Sequence, residues 1–141
     1  MTPLEAAIRH GQYEILQILL DDLTKKNLYW PFMDEKAFSL ACEKGNLEIV
    51  KLLLKYEEVT STVKYLEDSE GNIPFHFACK SGNLETVKFF TEDSMVELNA
   101  PNKLGRTPFH IAAELGHVQI CKLIMDKIKD KGKAMYIMGF N

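Results

Sequence analysis

A glycine recurs in this chain inside one local pattern, at Gly11, Gly45, Gly82 and Gly116, spaced 34, 37 and 34 residues apart. Around these glycines the sequence reads RHGQYEILQILL, EKGNLEIVKLLL, KSGNLETVKFF and ELGHVQICKLI. Each copy is a short segment, the glycine, and then an aliphatic segment. Periodicity of this kind restricts the fold to stacked copies of one supersecondary unit, because a single unit is too small to bury its own apolar face. A period near 34 fits more than one class of helical repeat, so the motif inside the unit has to decide.

The fullest copy runs from Gly105 to Lys127, GRTPFHIAAELGHVQICKLIMDK. Thr107 is a good helix N-cap and Pro108 suits the first helical position, where a missing N–H costs nothing. His110 is then the third helical residue. Phe109, Ala112 and Ala113 give this helix a slim apolar face, and Gly116 can take the left-handed conformation that ends it after about two turns. A second helix begins near Val118. Its residues Val118, Ile120, Cys121, Leu123, Ile124 and Ile128 cover more than one face, so it should pack between neighbours. TPLEAA (Thr2 to Ala7), IPFHFAC (Ile73 to Cys79) and TPFHIAA (Thr107 to Ala113) resemble the ankyrin signature T-P-L-H-x-A, with KAFSLAC (Lys36 to Cys42) as a degenerate copy. No W-x-x-L-G-x-x-Y pattern of tetratricopeptide repeats is present. The resemblance covers the whole chain. It implies an elongated, all-α solenoid of helix-turn-helix units joined by hairpin loops, a single ankyrin-repeat domain over 1–141 with repeats at about 2–35, 36–72, 73–106 and 107–140.

The copies depart from the pattern at identifiable places. Thr2 and Glu5 form a capping box in the first, and Ile8, Ile15, Leu16, Ile18, Leu19 and Leu20 are expected to form its core. The hairpin LYWPFMDEK (Leu28 to Lys36) has Asp34 where the family usually has glycine, and the second copy replaces the motif Thr and Pro by Lys36 and Ala37. The three extra residues before the third copy fall within Tyr56 to Asp68, where Thr60-Ser61-Thr62 has loop composition and an insertion costs little entropy. In the third copy Ile73 replaces the capping Thr, and Asn72 is expected to take over. Asn141 stands one period after Thr107 in the slot of the next motif threonine, which suggests an array cut from a longer one.

Of the 141 residues 46% are hydrophobic and 26% charged, ordinary for a soluble chain. The net charge of −3 carries no dominant basic stripe, which argues against duplex nucleic acid as the main partner. Lys127, Lys129, Lys131 and Lys133, interrupted by Asp130, read as a solvated helix end. Cys42 and Cys79 share one repeat position with Ala113, so they are read as small packed residues, buried and reduced. Together with the absence of a signal-peptide pattern and of an apolar run of spanning length, this gives an expected cytoplasmic location without membrane insertion.

The residue pattern offers little catalysis. His76 and Cys79 lie three apart and His110 repeats His76, but zinc wants four converging ligands and a Cys-His pair wants a third orienting group. Phosphate-loop, paired-carboxylate and nucleophile-elbow motifs are missing. The expectation is no enzyme activity, no cofactor and no metal, with His76, His110 and His117 structural. Asn99 resembles the hairpin asparagine that asparaginyl hydroxylases modify in some ankyrin proteins, a regulatory rather than catalytic implication.

The resemblance implies a scaffold that binds a protein partner through a concave surface of hairpin tips and first-helix ends, as a monomer. The alternative is a structural cytoplasmic segment of a larger protein, such as a transient-receptor-potential-like channel. Carried over residue by residue, the partner-binding positions are Arg9 and His10; Phe32, Met33, Glu35, Glu43 and Lys44; Ser69, Glu70, Asn72, Lys80 and Ser81; and Lys103, Leu104, Arg106, Glu114 and Leu115. Phe32 and Met33 are expected to be exposed. Trp30 either joins them or folds back on the first repeat with Tyr29.

Overall fold

The computed structural model describes residues 2–26, 35–56 and 62–130. Among them the chain forms four antiparallel helix pairs and no strand: α1 (Pro3–Arg9) with α2 (Tyr13–Lys25), α3 (Glu35–Lys44) with α4 (Leu47–Lys55), α5 (Pro74–Ser81) with α6 (Leu84–Thr91), and α7 (Pro108–Glu114) with α8 (Val118–Asp130). The local chemistry of each start is visible. The Thr107 hydroxyl accepts the His110 N–H, Thr2 accepts the Glu5 N–H, and proline stands at the head of α1, α5 and α7. Asn46 and Asn83 do the same for α4 and α6 by accepting from Ile49 and Thr86. Between the helices of the third pair Gly82 turns with φ +78°, a conformation that costs a side-chain-bearing residue about 1 kcal/mol or more.

The first helices stack in a row, α1 on α3, α3 on α5 and α5 on α7, while α2 packs on α4 and α6 on α8. The core follows the joints between pairs. Phe90 is fully buried and lies 6.4 Å from Phe38, 6.1 Å from Phe75 and 5.6 Å from Phe89, ring centroid to ring centroid. Polar groups tie the joints too. The buried Thr86 hydroxyl donates to the Gly45 carbonyl of the preceding pair at 3.2 Å.

Several expected core positions are open at the two ends of the stack. Ile15 and Ile18 are 52% and 67% exposed, because they occupy the side of α2 that a preceding helix pair would cover. Ala113 is exposed at the opposite end for the complementary reason, and Val118 is 59% exposed there. Cys42 and Cys79 are buried as expected, and burial pushes both thiols up from their ordinary pKa; Cys121 is only partly covered. The capping expectation for Asn72 also fails. Its side-chain oxygen accepts a bond from the Asn102 amide at 2.9 Å, and the Ile73 N–H is taken by His76 Nδ1 at 3.0 Å.

The insertion between the second and third pairs is more than a loop. Residues Thr62–Tyr65 form a 3-10 turn that buries Val63 and lays Lys64 over the rings of Phe89 and Phe90, its Nζ 4.4 Å and 5.5 Å from their centroids. Lys64 pairs with Asp93 at 2.9 Å, and the Tyr65 hydroxyl donates to the same carboxylate at 2.6 Å. Burial alone would raise the Asp93 pKa, but these donors and the Met95 N–H win and bring it down to about 2.

Candidate functional site

Among the described residues, two hairpins of one design stand at the edge of the stack beside the first helices. Asp68 Oδ1 accepts the N–H groups of Glu70 and Asn72, and Asn102 Oδ1 accepts those of Leu104 and Arg106, all at 2.9–3.0 Å. A short polar side chain closing its own backbone in this way fixes a tight turn. The turns are locked together. The Lys103 N–H donates to the Glu70 carbonyl at 2.9 Å, and Asn102 bonds Asn72. His76 joins hairpin to helix, since Nδ1 accepts the Ile73 N–H and Nε2 lies 3.1 Å from the Arg106 carbonyl, to which its N–H donates. Burial lowers its pKa, in keeping with a neutral ring whose two nitrogens are both engaged.

Between the hairpin tips and the ends of the first helices run two adjoining hollows. One, of about 430 Å³, is lined by Glu5, Arg9, Lys36, Ser39, Leu40, Glu43, Asp68, Ser69 and Phe77. The next, of about 330 Å³, is lined by Glu70, Asn72, His76, Phe77, Lys80, Asn102, Leu104, Arg106, Ile111, Glu114 and Leu115. Phe77 belongs to both, so they form one groove. Its apolar lining is repetitive: Leu40, Phe77 and Ile111, each half-buried, hold the same place in successive first helices. Leu104, 84% exposed, and Leu115, 49% exposed, stand on the rims of the second hollow. Two ion pairs cross between elements, Lys80 with Glu43 at 2.8 Å and Arg106 with Glu114.

Of the positions expected to bind, Arg9, Glu43 and Ser69 line the first hollow, and Glu70, Asn72, Lys80, Leu104, Arg106, Glu114 and Leu115 line the second. Lys44 and Lys103 are exposed outside both. His10 instead borders an apolar depression at the outer face of the first pair, with Ala6, Ile15 and Leu19. Ser81 serves the turn before α6, donating to the Ala78 carbonyl and accepting the Asn83 N–H. Phe32, Met33 and Trp30 lie outside the described residues, and Glu35 is placed only as the first residue of α3. Sequence reasoning missed Leu40, Phe77 and Ile111 as groove residues. The signal was there, since they fill the variable place in T-P-L-H-x-A, but apolar residues in a helix read as core. Asn99, singled out for modification, has its side-chain carbonyl oxygen buried with no hydrogen-bond partner among the described residues, in a small hollow with Leu98 and Ile128.

Helix pairs of one design, stacked in register and linked by interlocked hairpins, define a helical repeat solenoid. A family model described as ankyrin repeats (3 copies) matches residues 38–135, well over half the chain, and the chain belongs to the ankyrin-repeat family. Ankyrin repeats are in general protein-interaction modules. The match begins at Phe38, yet α1 and α2 ahead of it form a helix pair stacked on the next in the same way. No described helix is long and apolar enough to cross a membrane.

Proposed function

We propose that this chain is a protein-interaction scaffold whose concave groove, between the hairpin tips and the first-helix ends, holds a segment of a partner protein. The observation that carries this reading is the pair of hollows joined at Phe77, with large apolar side chains on rims that the fold leaves in water. Leu104 is 84% exposed yet contributes nothing to the stack that a polar residue could not. Such side chains ringed by polar groups are typical of binding hot spots. The helices on the opposite side present Lys51, Lys88 and Lys122 to solvent, with Glu85 beside Lys88, a face suited to solvation.

The test is site-directed photocrosslinking in cells. A photoreactive residue at Leu104 or Glu70 is expected to give a discrete protein adduct, and one at Lys88 or Lys122 is not. Adducts that form from the outer helices and not from the groove would overturn the proposal.

A further inference from the structure

The groove repeats with the stack, and this limits what can lie along it. Leu40, Phe77 and Ile111 supply one apolar site per helix pair, and packed helices lie about 8–10 Å apart. An extended β-strand returns to the same face every second residue, about 6.6 Å, and falls out of step at once. A polyproline II segment returns every third residue, about 9.3 Å, and stays in step across all three sites. An α-helix returns after seven residues, about 10.5 Å, but it is about 10–12 Å wide and has already bonded its own backbone. Polyproline II leaves its carbonyls free, and donors stand on both sides of the groove in Arg9, Lys36, Lys80 and Arg106.

Charge narrows the occupant further. Glu43 and Glu114 are each paired, with Lys80 and Arg106. Asp68 and Glu70 enter no ion pair among the described residues, and they border the two hollows on either side of Phe77. A cation on the occupant would meet them there.

We infer that the groove takes an extended segment in the polyproline II conformation, with large apolar side chains at every third position and a basic side chain beside the central one. This rests on the groove being the binding surface. The probe is a fluorescein-labelled peptide of about ten residues, with leucine at every third position, prolines between, and one arginine next to the middle leucine. Two comparison peptides share its charge: an isomer with leucines at alternate positions, and a helix-forming peptide with leucines at heptad spacing.

Binding is read by fluorescence anisotropy. The every-third peptide is expected to bind about tenfold tighter than either comparison. Glu70→Lys and Leu104→Ser, both at exposed positions, should each weaken it about fivefold or more while the circular dichroism spectrum stays unchanged. Equal binding of all three peptides, or no loss in either variant, overturns the inference. So does binding by the helical peptide alone. If that binding is lost in Leu104→Ser, or if no peptide binds while crosslinks still form from Leu104 and Glu70, the register is wrong and the groove stands. If crosslinks also avoid the groove, both readings fall.

Discussion

Ile15 and Ile49 hold the same place in successive helix pairs, yet Ile49 is 0% exposed and Ile15 is 52% exposed. The far end of the stack gives the complementary contrast. Cys42 and Cys79 are fully buried, while Ala113 in the same slot is open. One side of each pair is covered by the pair before it and the other side by the pair after. Burial therefore belongs to the joint between units rather than to the unit. Stability in such an array is a sum of weak intrinsic terms and strong interface terms, so equivalent residues in inner and outer pairs should differ in what they contribute.

The largest effect is expected at the inner aromatic cluster. Phe90 touches rings from its own and the preceding pair, and Phe90→Ala should cost about 3–5 kcal/mol, read from denaturant unfolding. Ile15→Ala should stay within about 0.5 kcal/mol, as surface changes do. A comparable loss from both would break the comparison.

Next comes the brace at the joint between the second and third pairs. Asp93 is held at about 2, below its ordinary 3.8, so its ionised form contributes stability above the ordinary value that is lost as pH falls through about 2. The shift corresponds to roughly 2 kcal/mol, and Asp93→Asn should lower the neutral-pH unfolding free energy by up to about that much. The variant should also flatten the acid limb between pH 4 and 2 (about the span of the shift). An unchanged acid limb would mean that the clasp of Lys64 and Tyr65 is incidental to the joint.

A glycine pair separates turn strain from contact. Gly82 and Gly116 have nearly the same φ, +78° and +77°, so alanine at either should cost about 1 kcal/mol in backbone strain. At Gly82 the added Cβ would also stand 2.8 Å from His117 Cε1 of the next pair, whereas at Gly116 nothing lies within 4 Å. Gly82→Ala should therefore be worse by about 1 kcal/mol, provided the half-exposed ring cannot swing away. Equal melting points would show that it can.

The parts of this molecule that were legible in sequence are those fixed within one unit. Thr107, Pro108 and His110 specify a helix start by local bonds, and the turn glycines specify the reversal, so the pairs could be placed from pattern alone. What depends on a neighbour could not. Ile15 looks like core because its counterparts Ile49 and Ile120, which have a preceding pair, are core. Lys64 and Asp93 meet through an insertion that has no periodic signal. The groove was half legible: the hairpin and helix-end positions follow from the repeat frame, whereas Leu40, Phe77 and Ile111 are lipophilic enough to pass for packing. Phe32 and Met33, the most apolar hairpin positions, lie outside the described residues and stay an expectation.

The smallest effect is expected from the two motif histidines, and it is the sharpest test because both hold the head of their own helix in the same place of the repeat. His76 and His110 each accept a backbone N–H at the head of their helix, at 3.0 Å in both. His110 Nδ1 also lies 2.8 Å from the Thr107 hydroxyl of its own helix start, but of the two rings only His76 is seen to bond across a joint, to the Arg106 carbonyl of the next hairpin, and only His76 is buried. His76→Ala should thus cost more than His110→Ala by about 1 kcal/mol, one hydrogen bond across a joint. Acid gives a second readout of His76. Burial holds the His76 pKa below its ordinary 6.5, so folding favours the neutral ring, and its contribution is present above 6.5 and lost as pH falls below it. Wild type and His110→Ala should share that loss in melting scans at falling pH, and His76→Ala should lack it. If all three proteins soften in parallel, the ring of His76 is no more tied to the next hairpin than its counterpart at the open end of the stack.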